Sequence, residues 1–409
     1  MTDSPMRKRP VLLVLASTYP RWRGDYEPGF THELTKRLAE DFDVIAVVPS
    51  APGAASHEIL DGVEVIRYRY APRCFETLVN DGGIVANLRR HRWKLLLVPT
   101  FVLAQAWRAW RVLRIRQVDL IHVHWLLPQG LVATWLQVLS RRALPYLVTS
   151  HGADLFALRG PWLRALKRHV VRRAEAVTVV SQAMRDELAR LGADAGKVTV
   201  RSMGVDLAER FTPDESVERA SHELLFVGRL VEKKGLRHLI DAMPAILAAF
   251  PMAGLTVAGF GPEESVLRQQ VRKLGLEASV SFIGAVPQAD LPTLYRRASV
   301  FVAPFVQASS GDQEGLGLVV VEALGCGCPI VASDLPATRD VMLDTTAYVR
   351  VLPGDSDALA RAVTDIFIRS EIYRRGVEAC REPLMQRFDW HAVSRDYARM
   401  LKACLRADL

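Results

Sequence analysis

Short β-branched runs alternate with amphipathic stretches along this chain, and the alternation runs through twice. The first series has strand candidates at Val11–Ser17, Val44–Val48, Val63–Tyr70, Leu120–His124, Tyr146–Ser150, Ala176–Val180 and Lys197–Val200. The second has them at Leu224–Val227, Leu255–Ala258, Val280–Ile283, Val300–Ala303, Ile330–Ala332 and Ala347–Val351. Parallel strands need a crossover segment, usually a helix, so this pattern predicts two parallel sheets covered by helices on both faces. Ligands of such sheets sit at the carboxyl ends of the strands. A length of 409 residues fits two domains of about 200 residues each.

Charge is divided unevenly. Residues 1–210 carry 31 Lys/Arg against 20 Asp/Glu, a net of +11; the remainder carries 22 against 25, a net of −3, and the two sum to +8. A basic first half points to an anionic partner there: nucleic acid, anionic lipid or a phosphorylated acceptor. The basic groups concentrate in residues 88–116, where Arg108, Arg111 and Arg114 recur every three residues among Trp93, Trp107 and Trp110. Basic residues with Trp and Leu on a helix describe an element lying on a membrane surface. Trp162 to Arg173 is a second basic amphipathic stretch. No nucleic-acid module accompanies the charge, so nucleic acid is not expected as a partner.

The apolar run Val11–Ala16 is shorter than a signal-peptide core and reads as a first buried strand. No uninterrupted apolar run reaches the ~20 residues of a spanning helix. The five cysteines, Cys74, Cys326, Cys328, Cys380 and Cys404, are scattered and read as reduced thiols. A cytoplasmic protein is expected, peripheral on the inner membrane face if the basic stretch binds lipid.

The most specific stretch is EGLGLVVVEALGCGCPIVAS, Glu314–Ser333. It reads as loop, helix, turn and strand. A glycine-bearing turn (Gly315, Leu316, Gly317, Leu318) into a helix start aims backbone N–H groups at one spot, where the helix dipole favours an anion. Glu314 precedes the turn, and Glu322 stands in the apolar helix run, where a carboxylate needs a partner. Carboxylates accept hydroxyl donors. Anion-cradling amides between two carboxylates suggest a ligand with both phosphate and sugar hydroxyls.

The spacing Glu314-x7-Glu322 resembles the signature of retaining GT-B glycosyltransferases of family 4 (glycosyl transferases group 1). The resemblance implies α/β GT-B architecture, with two Rossmann-like domains facing a central crevice. It implies a nucleotide-sugar donor as substrate, no cofactor and no required metal. By the family pattern Glu314 meets the donor sugar, Glu322 the donor ribose, and the amides of Gly315, Leu316, Gly317 and Leu318 the sugar and phosphate. GRLVEKKG (Gly228–Gly235) resembles the diphosphate loop, with Arg229 and Lys234 as its cations, Lys233 as the rival of Lys234, and Gly228 beside them. FIGAVP (Phe282–Pro287) resembles the segment whose backbone contacts the nucleobase, here at Val286. His151, in TSHGAD, resembles the histidine that reaches the donor sugar from the first domain, and Asp154 is a weaker candidate near the acceptor. Gly24, with Gly29 as rival, is the candidate for close approach to the donor phosphate. MGVDLAERFTP (Met203–Pro213) resembles the interdomain connector, with Met203 where Asn is usual. This sets residues 1–208 as the acceptor-side domain, 209–385 as the donor domain, and 386–409 as a helix that crosses back, anchored by Trp390, Val393 and Tyr397.

Two patterns mislead. Gly259-Phe-Gly261-Pro-Glu263-Glu264 follows a strand as a dinucleotide fingerprint would, but Glu264 replaces the third glycine. It reads as a loop of the nucleotide pocket. The D-x-D pairs Asp41/Asp43 and Asp355/Asp357 precede a strand and cap a helix, so neither suits a metal. His122 and His124 share a sheet face and read as buried, hydrogen-bonded histidines rather than metal ligands.

The expectation is therefore a retaining transferase that moves a hexose from a UDP- or GDP-linked donor to a saccharide or lipid-linked acceptor, in cell-envelope or exopolysaccharide assembly. Arg229, Lys234, Glu314 and His151 are its catalytic candidates. The alternative is a GT-B nucleotide-sugar-binding protein or epimerase without transferase activity.

Overall fold

The computed structural model describes residues 9–25, 29–80, 83–140, 144–158, 160–341 and 346–406. The chain divides into two compact units. One comprises Met1–Val180, Met184–Arg201 and Val393–Leu409; the other comprises Ser181–Ala183 and Ser202–Ala392.

The strands of the first unit are β1 (Val11–Leu15), β2 (Asp43–Pro49), β3 (His57–Leu60), β4 (Val63–Tyr68), β5 (Leu120–His124), β6 (Tyr146–Ser150), β7 (Ala176–Val179) and β8 (Val198–Val200). Among the described residues they form one sheet in the order β3-β4-β2-β1-β5-β6-β7-β8. All pairings are parallel except β3 with β4. β1, β5 and β6 are buried along their whole length, as strands covered on both faces must be. From β1 the sheet grows one way through β2 and β4 and the other way through β5 to β8. The point of reversal therefore lies between β1 and β5.

β3 is absent from the sequence-based strand set. It is a short, largely exposed edge strand joined to β4 by Asp61-Gly62, both at positive φ (46° and 84°). That is the two-residue hairpin turn that Asp-Gly favours, so the signal was the dipeptide rather than HEIL, which is four residues long with a single β-branched residue.

The second unit contains β9 (Glu223–Val227), β10 (Gly254–Ala258), β11 (Val280–Gly284), β12 (Val300–Ala303), β13 (Ile330–Ser333) and β14 (Tyr348–Val351). They form an all-parallel sheet in the order β11-β10-β9-β12-β13-β14. Helix Leu236–Ala249 buries Leu236, Leu239, Ile240, Met243 and Ile246, and helix Ser356–Ile368 buries Leu359, Val363 and Ile366 in the same core. The reversal here lies between β9 and β12. In open parallel sheets a ligand crevice opens at such a point, because the loops on its two sides lead to opposite faces.

The connector begins the second unit. Val205 bridges Asp389, and the Asp389 carboxylate accepts from the amides of Leu207 and Ala208 at 3.2 Å each. Met203 is buried. The last helix, Trp390–Arg406, starts in the second unit, where Trp390 lies against Gly204, and continues in the first. There Tyr397 is fully buried, its hydroxyl 3.4 Å from both Thr178 Oγ1 and the Arg201 carbonyl. Of the cysteines, Cys74 is exposed and the others are buried, and all are free thiols.

Candidate functional site

The site of the second unit is built from loops at the carboxyl ends of β9, β11 and β12. Gly228 and Arg229 follow β9, and the loop closes through a short turn, Glu232–Lys234, into helix Leu236–Ala249. Gly235 caps that helix at φ +67, and a Cβ there would stand 1.8 Å from the Pro304 carbonyl oxygen. The loop after β12 thus passes over the backbone of the loop after β9 with no room for a side chain.

These two loops are stitched together residue by residue. The Val306 amide donates to the Lys233 carbonyl at 3.0 Å, and the Glu232 carboxylate accepts from the Ser309 amide and hydroxyl at 2.8 and 2.9 Å. Lys233 Nζ donates to the Gln313 carbonyl at 3.3 Å and lies 3.6 Å from Asp312. Lys234 Nζ stands 2.8 Å from Glu314 Oε2, with side chains only 13% and 15% exposed, and 4.5 Å from the centre of the Phe305 ring. Of the two rival lysines, Lys233 is thus engaged by the loop, and Lys234 meets the candidate sugar-binding carboxylate. Burial raises the Glu314 carboxyl, but the Lys234 and Lys233 charges, the Lys234 contact and the Gly315 amide outweigh it and hold the group at about 2.

Gly317 takes a left-handed φ of 77°, and helix Leu318–Gly325 begins directly after it. Gly315, Leu316 and Gly317 are buried. Glu322 lies in the middle of this helix and is buried. Tyr295, fully buried on helix Leu291–Arg297, donates its hydroxyl to Glu322 Oε2 at 2.9 Å. Gln288, on the loop after β11, donates Nε2 to Oε1 at 3.3 Å. Val286, half-buried, lies two residues before Gln288 on that loop. Burial pushes Glu322 up to about 7, against the pull of the Tyr295 hydrogen bond and the Lys234 and Arg210 charges.

The GFGPEE loop after β10 has a structural reason for its glycines. A Cβ on Gly259 would meet the Gly228 carbonyl oxygen at 1.9 Å, and one on Gly261 the Leu230 carbonyl oxygen at 2.4 Å. Both glycines let this loop pack backbone to backbone on the Gly228–Leu230 loop. One residue of each D-x-D pair has a structural part: Asp355 caps helix Ser356–Ile368, and Asp41 pairs with Lys402 at 2.6 Å. Among the described residues no group of three His, Cys, Asp or Glu could hold a metal ion.

In the first unit His151 follows β6. Its Nε2 lies 3.0 Å from His124 Nδ1, with the two rings stacked, and Phe30 and Trp125 pack on it at 4.8 and 5.0 Å between ring centres. Burial, with a smaller push from His122, lowers His151 to about 3, so the ring is neutral. His122 bonds Thr149 Oγ1 at 2.9 Å. Trp125 holds φ +76, a left-handed conformation that a bulky residue rarely adopts. Asp154 is buried and accepts from the Leu126 amide, the Ser150 hydroxyl and the His151 amide at 2.7, 2.9 and 3.3 Å. Its part is to fix the turn that carries His151. Gly24 sits in an exposed turn at φ +81, with no atom of the described residues within 4 Å of a Cβ position, and Gly29 caps helix Phe30–Leu38. A cavity of about 670 Å³ lined by Trp110, Arg114, Asp119, Leu139, Ser140 and Leu144 lies at the amino end of β5, whereas His151 follows the carboxyl end of the parallel β6.

Two family models match almost end to end. Residues 30–209 match Glycosyltransferase Family 4, and residues 211–382 match Glycosyl transferases group 1. The chain belongs to these glycosyltransferases. Glycogen synthase of Mycobacterium tuberculosis (strain CDC 1551 / Oshkosh) is 28% identical over 400 residues, covering 92% of this chain and 91% of that one. Phosphatidyl-myo-inositol mannosyltransferase of Mycobacterium leprae is 33% identical over 225 residues, 55% of this chain and 58% of that one. Sucrose-phosphate synthase from Thermosynechococcus elongatus superposes with a TM-score of 0.79 at 22% identity, over 98% of this chain and 100% of that one, and shows the GT-B fold.

Sequence reasoning about this glycosyltransferase missed Tyr295 and Gln288, which lie 27 and 34 residues from Glu322. Nothing in their local pattern marks them, since Tyr295 reads as one more apolar position of a short helix. Chemically, the second unit offers a cation and a carboxylate already paired at one switch point. It also holds a second carboxylate, accepting on both oxygens and poised near neutral pH.

Proposed function

We propose that this glycosyltransferase takes a UDP- or GDP-linked hexose and transfers it, with retention at the anomeric carbon and without a metal, to a saccharide or lipid-linked acceptor. The observation that carries the reading is the Lys234–Glu314 ion pair at the β9/β12 switch point, with Glu322 buried on the adjoining helix. Arg229 and Lys234 bind the diphosphate and stabilise the charge that grows on it as it leaves. Glu314 orients sugar hydroxyls, and Glu322 accepts from ribose hydroxyls. The amides from Gly315 to Leu318 receive sugar and phosphate oxygens. Gly228 and the Val286 backbone belong to the nucleotide pocket, and Gly24 approaches the donor phosphate. His151 acts as a neutral hydrogen-bonding group for the sugar.

In the reaction the bond from the anomeric carbon to the phosphate oxygen breaks, and a bond to the acceptor oxygen forms on the same face. The acceptor hydroxyl gives its proton to the departing phosphate. The proton balance is closed between the two substrates, so this step requires no protein base.

The acceptor reading rests on residues 88–116, which contain no Asp or Glu. Leu96, Leu103 and Trp107 are exposed there (79, 61 and 60%), beside exposed Arg111 and Arg114. Among the described residues no helix is long and apolar enough to cross a membrane. This apolar and basic face suits an anionic lipid surface, which accords with a lipid-linked acceptor in envelope or exopolysaccharide assembly.

The test is a thermal-shift panel of UDP, GDP, ADP and their common sugars on the wild type and on Glu322→Gln. One nucleotide is expected to stabilise the wild type and to stabilise the variant less. A folded wild type that responds to none of them sinks the donor site. Product anomers read by NMR, with and without a chelator, then test retention and metal independence.

A further inference from the structure

We infer that Tyr295, with Gln288 as a second donor, positions Glu322 so that its two remaining acceptor directions face the adjacent hydroxyls of a ribose. The inference rests on the reading that Glu322 is the ribose carboxylate, and it names what sets that residue's orientation and its preference for ribose over deoxyribose.

A carboxylate offers about four lone-pair directions, two on each oxygen. Tyr295 takes one on Oε2 and Gln288 takes one on Oε1. One acceptor direction is left on each oxygen, and the two oxygens of one carboxylate are spaced to receive the two hydroxyls of a vicinal diol. Without these two donors the side chain could turn about its last torsion and present either edge.

Tyr295 is itself held firmly. It has no exposed surface, and its ring meets Phe301 edge-on at 5.5 Å and Phe211 at 6.2 Å. Burial, reinforced by the Glu322 charge, raises its phenol well above the ordinary range, so it keeps its proton and always donates. The charges that act on Glu322 are Lys234 on the loop after β9 and Arg210 on the connector. Cys326, in the turn that ends the helix, is pushed up to about 12 by burial and stays neutral. A neutral donor of fixed protonation is therefore the closest group that selects one orientation without changing the charge of the site.

The decisive experiment measures binding of UDP, GDP and their 2′-deoxy counterparts by calorimetry, between about pH 6 and 9, on the full-length wild type and on Glu322→Gln, Tyr295→Phe and Gln288→Ala. The wild type should prefer the ribose form of one nucleotide, and Glu322→Gln should abolish that preference. Tyr295→Phe should weaken the ribose form about tenfold, the usual size of one lost hydrogen bond to a charged group, and the deoxy form less than twofold. It should also move the rise of affinity with pH upward, because a donor that favours the ionised carboxylate is gone. Gln288→Ala, on an exposed loop, should lower the ribose preference by a smaller factor, and it decides the matter if Tyr295→Phe fails to fold. Equal losses for ribose and deoxyribose, with an unmoved pH midpoint, would show that Tyr295 only fills space and would overturn the inference. A wild type that binds nucleotide without preferring ribose overturns instead the assignment of Glu322, and the inference falls with it.

Discussion

Lys234 Nζ stands 2.8 Å from Glu314 Oε2, and this ion pair ties the loop after β9 to the turn that opens helix Leu318–Gly325. The two groups proposed to act on adjoining parts of the donor, one on phosphate and one on sugar, are thus held against each other. The site is pre-organised by its own charges. A diphosphate that enters meets a lysine whose position is already fixed, so little ordering remains to be done on binding.

Glu314→Gln leaves Lys234 largely buried without its counter-charge and should cost about 3 kcal/mol of stability near neutral pH. Glu314 is held at about 2 in the folded chain, below its ordinary 4.5. Its contribution is therefore complete above 4.5 and is lost as pH falls towards 2. Urea denaturation should show a constant gap between wild type and variant above about pH 5, closing in acid.

Glu322 has the opposite sign. Its folded value of about 7 exceeds its ordinary 4.5, so the folded chain binds the extra proton and wild-type stability falls as pH rises between them. The stability of Glu322→Gln, which cannot ionise, should gain on the wild type across that window. Nucleotide affinity of the wild type should rise over the same range, since only the ionised group accepts two hydroxyls. A gap in stability that does not change with pH would show that Glu322 is ionised throughout.

The His151 ring, lowered to about 3 by burial, should not titrate between about pH 5 and 8 in an NMR experiment on its ring protons. Any limb of the pH–rate profile near 7 should disappear in Glu322→Gln and persist in His151→Asn.

Gly235→Ala puts a methyl group 1.8 Å from the Pro304 carbonyl oxygen at a φ of +67. Because the obstacle is backbone, the loops after β9 and β12 must separate. A stability loss of about 2 kcal/mol or more is expected, with weaker nucleotide binding, seen together in a thermal melt with and without the nucleotide that the wild type binds.

On the first unit, Leu103→Ser with Trp107→Ser should reduce binding to phosphatidylglycerol-containing vesicles about tenfold or more, by removal of apolar contact. Arg111→Glu with Arg114→Glu should do the same and reduce the salt dependence. Wild-type protein that stays in solution when such vesicles are pelleted at low salt would end the membrane reading.

The two parallel sheets were legible because β-branched runs and helical periodicity are local signals, and every parallel strand named from them exists. β3 was not, because its four residues, HEIL, hold a single β-branched residue and no run, although Asp61-Gly62 announced the hairpin. The glycine loops were legible as loops, but the reason for Gly259 and Gly261 was not. It is the backbone of Gly228 and Leu230 lying where a Cβ would be. Asp154 could be noticed from HGAD, yet its burial beneath the turn depends on β5 and β6 lying side by side.

By itself, the sequence determined the element order, the glycine turns and the residue types able to meet phosphate and hydroxyls, since each depends on a few neighbouring residues. Tertiary structure decided which lysine meets Glu314, and that Glu322 is buried with Tyr295 and Gln288 as its donors. It decided also that His151 is stacked on His124. Pairing, burial and the ionisation they control depend on groups dozens of residues apart, which only the packing of loops at the strand ends brings within hydrogen-bond distance.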